Sequence, residues 1–128
     1  MNAHVDRQPG CPFCSDEEAV IGNGHVYARF DKYPVAPGHL LLITRRHVAE
    51  FFATSQQERL ALLALLDEAK TYLDQRYAPN GYNLGVNVGE VAGQTVMHVH
   101  MHLIPRYRGD TPNPRGGVRG VIPAKQSY

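Results

Sequence analysis

The sequence predicts an α+β fold, in which an antiparallel β-sheet carries one long α-helix. Three observations carry this expectation. A capping box opens a leucine-rich run with helical spacing, short apolar segments flank that run on both sides, and Pro- and Gly-rich breaks separate the segments. The 128 residues fit one domain over 1–128, with 1–10 as a tail, 11–105 as the core and 106–128 as a C-terminal arm. Hydrophobic residues at 43% and charged residues at 20% exclude a disordered or fibrous chain. Thirteen Lys and Arg balance twelve Asp and Glu, and a net charge of +1 excludes a non-specific nucleic-acid coat. The longest apolar stretches, Leu40–Ile43 and Leu60–Leu66, are too short to span a bilayer. Met1–Gln8 lacks the apolar stretch of a secretory signal. A cytoplasmic protein without membrane or nucleic-acid partners is the expectation.

The elements follow in chain order. After the tail comes the knuckle Cys11-Pro12-Phe13-Cys14. His25–Phe30 alternates, with Val26, Ala28 and Phe30 on one side, until Pro34, Pro37 and Gly38 break it. His39–Thr44 is dense and apolar and suits a buried strand, antiparallel to the first. Ser55-Gln56-Gln57-Glu58 is the capping box, in which the Ser hydroxyl and the Glu carboxylate each satisfy a free backbone N–H. Leu62, Leu63, Leu66, Ala69 and Leu73 then recur at helical spacing, and Pro79-Asn80-Gly81 stops the helix. Gly81–Val88 and Val96–Ile104 read as two further strands, and a tail rich in Gly, Pro and Arg follows Pro105.

Seven histidines are the unusual feature of the composition, and three stand in His98-Val99-His100-Met101-His102. On a strand, residues at i, i+2 and i+4 share a face, so these imidazoles converge while Val99, Met101 and Leu103 face the other way. Three imidazoles on one face suit a zinc site with an open position for water. They equally suit attack on phosphorus, with one His as nucleophile and its neighbours on the phosphate oxygens. Spacing alone does not separate the two. The pair Cys11-x-x-Cys14 is likewise a redox pair, half of a zinc site, or two small buried residues.

The segment from Gly93 to Ile104, Gly-Gln-Thr-Val-Met-His-Val-His-Met-His-Leu-Ile, closely resembles the signature of the histidine-triad (HIT) nucleotide-binding superfamily. The resemblance extends through Asn87, through Pro37-Gly38-His39-Leu40-Leu41-Leu42-Ile43, and to Asp31. Pro105-Arg106 followed by Gly109-Asp110 is similar to the fragile-histidine-triad branch, the dinucleoside-polyphosphate hydrolases. This resemblance implies the HIT-like fold, with the sheet extended across a homodimer. It implies His100 as the nucleophile that forms a nucleotidyl-phosphohistidine at the α-phosphate. It places His102 on the phosphate or leaving group and His39 beside the triad. It further implies that Asn87, Gln94 and Thr95 surround the phosphates and that Asp31 holds the ribose hydroxyls. In zinc-containing members, two cysteines near the N-terminus join a downstream histidine and the first triad histidine. The matching positions are Cys11, Cys14, His47 and His98, a closed site in which Zn2+ is structural and catalysis uses no cofactor.

The expected function is hydrolysis of nucleotide conjugates, dinucleoside polyphosphates first and nucleoside phosphoramidates second. A nucleotidyltransferase fits less well, since that branch replaces the third triad residue and His102 is present. The rival from another class is a nucleotide-binding or interaction module. Arg45-Arg46 reads as solvated surface or a phosphate clamp, and the arm around Arg115–Arg119 as a docked loop or a cover over substrate. His4 and His25 have no assigned part.

Overall fold

A computed structural model describes residues 7–128, so His4 and most of the N-terminal tail lie outside the described residues. The elements are β1 (Ile21–Gly22), β2 (Val26–Phe30), β3 (Leu40–Thr44), α1 (Gln56–Tyr77), β4 (Gly81–Val86) and β5 (His100–Arg106). The strands form one antiparallel sheet in the order β1-β2-β3-β5-β4. The α+β architecture is the one expected, with the short β1 added.

The capping box forms as the sequence requires. Glu58 N donates to Ser55 Oγ at 3.1 Å and Ser55 N donates to Glu58 Oε1 at 2.8 Å. At the other end Ala78 adopts a left-handed conformation, φ +46°, and its N–H donates to Asp74 O. Glu58 has a second task. Arg46 grips its buried carboxylate in a two-pronged pair at 3.1 and 2.8 Å. Burial opposes the charge of Glu58, but the bonds from Arg46 and Ser55 prevail and hold the carboxyl below its ordinary range. The loop after β3 is thereby tied to the start of α1. Arg45 donates to Asn23 O and to Asp16, so both arginines brace the fold.

One face of the sheet packs on α1. Val26, Ala28, Leu40, Leu42 and Leu103 meet Leu62, Leu65, Ala69 and Leu73, all buried. The helix is rotated from the expected phase: Leu65 is fully buried and Leu63 is 55% exposed. Residues 60–66 are apolar throughout, so their pattern sets no unique face. The buried Glu58, Leu62, Leu65, Ala69 and Leu73 recur at intervals of 4, 3, 4 and 4.

Strand β5 also begins later than the alternation implies. Its last ladder partner on β3 is Ile43, opposite His100. The carbonyl of Thr44 is taken instead by the ring of His98, and Val99 N donates to Val48 O. The backbone before His100 therefore leaves the sheet.

Leu65→Ala should destabilise the protein by about 2–5 kcal/mol through lost burial and a cavity, whereas Leu63→Ala should stay within about 0.5 kcal/mol. Urea unfolding of both variants checks the helix phase.

Candidate active site and metal centre

The sheet face turned away from α1 carries the histidines. Residues opposite each other in an antiparallel pair project to the same side. Tyr27, Ile43 and His100 thus form one row across β2, β3 and β5, and Arg29, Leu41, His102 and Gly85 form the next.

The protons on these rings follow from their partners. His100 Nδ1 lies 2.9 Å from His98 O, and a carbonyl only accepts, so Nδ1 carries the proton and Nε2 keeps its lone pair. The Phe13 ring packs edge-on against His100, centroids 4.9 Å apart. A second chain of bonds runs through His39. Val35 N–H donates to His39 Nδ1 at 3.1 Å, which puts the His39 proton on Nε2. That nitrogen lies 2.9 Å from His102 Nδ1, which leaves the His102 proton on Nε2. Asp31 Oδ2 stands 3.5 Å from His39 Nε2 and 4.0 Å from His102 Nδ1. Burial pushes His39 down despite Asp31, and burial with the neighbouring His100 and His39 pushes His102 down to about 4. Both rings are neutral at pH 7.

Two clefts meet here. One, of about 510 Å³, contains His100, Phe13, Arg29 and Thr95. The other, of about 590 Å³, contains His39, Gly85, Ile104 and part of the C-terminal arm. Asp31, Asn87 and His102 line both. The structure thus gathers His39, Asp31, Asn87, Thr95, His100 and His102 at one place.

Gln94 departs from its expected position beside the phosphates. It is buried, its amide donates to Ala49 O and Val96 O, and its carbonyl accepts from Gly89 N. With both amide protons spent on backbone, it braces the loop between β4 and β5. Gly93, at φ +101°, makes the turn before it. Arg29 and Phe13 were missed in the sequence. Phe13 is legible only once the knuckle is docked, where Tyr27 Oη donates to Phe13 O at 2.6 Å and to Ser15 O at 3.0 Å.

The first triad histidine turns away from the other two. His98 is completely buried, and its Nε2 donates to Thr44 O at 2.7 Å. Its Nδ1 therefore offers a lone pair, toward Cys11 Sγ at 3.5 Å and Cys14 Sγ at 3.6 Å. His47 Nδ1 is 3.2 Å from Cys14 Sγ. The four ligand atoms lie within 4.8 Å of one another and can hold a metal ion. Tetrahedral zinc, with sulfur at about 2.3 Å and nitrogen at about 2.0–2.1 Å, separates S and N ligands by about 3.5 Å. The donor set and spacing fit. Burial raises the Cys14 thiol, and a bound cation would offset that cost by favouring the thiolate.

The HIT domain family model matches residues 14–109. The chain belongs to the HIT family. It is 38% identical over 103 residues to an uncharacterized 16.1 kDa HIT-like protein of Mycoplasma pneumoniae, covering 76% of this chain and 72% of that one. It is 37% identical over 102 residues to an AP-4-A phosphorylase of Mycobacterium tuberculosis, covering 77% of this chain and 52% of the relative. The chain thus spans about half of that enzyme. A HIT family protein from Bacillus anthracis superposes with a TM-score of 0.74 at 33% identity, covering 81% of this chain and 78% of the other. No helix among the described residues is long and apolar enough to cross a membrane.

The neutral His39–His102 pair sets a pH dependence. With folded-state values below the ordinary 6.5, these groups contribute their full stability above about pH 6.5. That contribution falls as the pH drops toward 4, because the unfolded chain takes up the protons first. Chemical unfolding at pH 7 and pH 5 should show this loss, and His102→Gln should lose less between the two pH values than the parent.

Proposed function

We propose that this HIT protein hydrolyses nucleotide conjugates at the α-phosphate through a nucleotidyl-histidine on His100, with dinucleoside polyphosphates as substrates. The observation that carries this reading is the bond from His100 Nδ1–H to the carbonyl of His98. It holds the ring in the tautomer whose Nε2 is nucleophilic, at a cleft of nucleotide size.

In the first step the Nε2 lone pair of His100 attacks the α-phosphorus. An N–P bond forms, the bond from phosphorus to the bridging oxygen breaks, and its electron pair leaves with that oxygen. The positive charge that develops on the imidazole is stabilised by the Nδ1–H···O=C bond to His98. His102 donates a hydrogen bond from Nε2 to the phosphoryl or bridging oxygen, and Asn87 and Thr95 line the same cleft. In the second step water attacks phosphorus, the N–P bond breaks with its pair returning to Nε2, and the proton from water passes to solvent. Asp31, between the clefts, holds the ribose hydroxyls.

The neutral state of His102 bears on the leaving group. A neutral imidazole donates a hydrogen bond but is a very weak proton donor. A polyphosphate departs as a stable anion and needs no proton, whereas an amine does. This favours polyphosphate conjugates over phosphoramidates.

Zinc on Cys11, Cys14, His47 and His98 completes the proposal. With all four positions filled by protein it would act as a structural ion, fixing the knuckle and the ring of His98. The protein forms a homodimer through the outer edge of β4, which pairs with β5 on one side alone.

His100→Ala should lower turnover of diadenosine tetraphosphate about a thousandfold or more. Its affinity for AMP should change only a few fold. Acid-sensitive labelling by substrate, seen by intact mass spectrometry, should disappear in the same variant, and unchanged turnover would sink the mechanism. Elemental analysis of the untagged protein should find about one zinc per chain, and Cys14→Ser should lose it.

A further inference from the structure

We propose that Arg29 reads the base of the nucleotide and makes the cleft of His100 prefer 6-oxopurine nucleotides, those of guanosine or inosine, over adenosine nucleotides. The inference rests on the hydrolase reading, which leaves the base unassigned.

Arg29 is only 5% exposed, in the interior of β2, yet it belongs to the lining of that cleft. A buried arginine is costly unless its charge and its donors are matched. Its Nη1 donates to Pro12 O at 3.1 Å, and its Nη2 meets the Glu18 carboxylate. The guanidinium carbon lies 5.6 Å from the centre of the Phe13 ring. These contacts fix the head group against the Cys-Pro-Phe-Cys knuckle. One donor is left over. Arg29 Nε is the only buried side-chain nitrogen or oxygen among the described residues that has no hydrogen-bond partner. A buried N–H without an acceptor is destabilising, and in the wall of a cleft it marks where an acceptor on a ligand belongs.

The sheet sets the distances. Arg29, Leu41 and His102 stand in one row across β2, β3 and β5, which puts Arg29 two strand spacings, about 10 Å, from His102. Asp31, two residues further along the chain, comes within 4.0 Å of His102. A nucleotide with its α-phosphate at His100 and its ribose at Asp31 then has its base to place. Pro12, Phe13 and Leu41 supply apolar wall for a planar ring, with Arg29 beside them. Lys32 lines the same cleft, but its side chain is 62% exposed and 3.8 Å from Glu18, where water competes for its donors.

The polarity of the donor selects the base. A guanidinium only donates, and its charge strengthens each bond. Guanine and hypoxanthine present two acceptors on one edge, O6 and N7. Adenine presents N7 and, in place of O6, the donor N6–H₂. An oxo group toward Arg29 satisfies the orphan Nε–H, whereas an amino group sets donor against donor. A site built around one such bond rejects the analogue that lacks the matching atom.

Calorimetry with AMP, GMP and IMP on the unaltered protein tests the preference directly. IMP keeps the O6 of GMP and lacks its 2-amino group. GMP and IMP should both bind about tenfold more tightly than AMP. Arg29→Met keeps the length of the side chain and removes its donors, so it should erase the difference by weakening GMP and IMP. Arg29→Gln is the second variant should the first not fold, since its amide both donates and accepts and should bind the three ligands alike. Equal affinities for AMP and IMP in the unaltered protein overturn the proposal, as does a preference that survives in either folded variant. A preference for GMP that IMP does not share places the recognition at the 2-amino group and overturns it as well. Turnover of diguanosine tetraphosphate, and its loss in His100→Ala, decides the hydrolase reading separately. The binding preference without that turnover overturns the hydrolase reading alone, and turnover without the preference overturns the role of Arg29 alone.

Discussion

The structure turns on His98, one residue that makes three kinds of contact. Its ring donates to Thr44 O, its other nitrogen faces the thiols of Cys11 and Cys14, and its backbone carbonyl accepts from His100. The first contact stops the β3–β5 ladder at Ile43 and His100. The second docks the Cys-Pro-Phe-Cys knuckle, which sets Phe13 against the ring of His100. The third sets the tautomer of the proposed nucleophile. Removing the ring would leave the buried carbonyl of Thr44 and the half-buried thiol of Cys11 without that partner, a cost that grows with the dryness of the site.

Around that residue the protein manages protons by position. Backbone groups that can only donate or only accept decide where each imidazole carries its hydrogen. Val35 N–H determines His39, His39 determines His102, and His98 O determines His100. Burial then keeps His39 and His102 uncharged. The proposed reaction uses both consequences, a free lone pair at one ring and a neutral donor at the next. The Arg46–Glu58 pair supports the same region from below, because it ties the loop that carries His47 to the first turn of α1.

Much of this was legible in the sequence. The alternation of His100, Met101, His102 and Leu103 correctly separated a polar face from a core face, and the capping box marked the helix start at Ser55. The phase of the helix was not legible, because residues 60–66 are apolar on every side and only contact with the sheet selects Leu65 over Leu63. Gln94 stands next to a threonine in the cleft, but its amide is turned to Ala49 O, 45 residues away in the chain. Arg45 and Arg46 look like solvated charges until Asp16, Asn23 and Glu58 are brought to them.

The sequence by itself determined the α+β class, the family and the identity of the chemical groups, since these depend on local periodicity and on a motif spanning a dozen residues. Tertiary structure alone decided that His98 leaves its neighbours for the cysteines, where His39, His98, His100 and His102 keep their protons, and that part of the C-terminal arm lines a second cleft beside His102. The physical reason is the range of the forces. Alternation and capping act over a few residues, whereas tautomers and burial depend on partners as far as 87 positions away, as Cys11 is from His98.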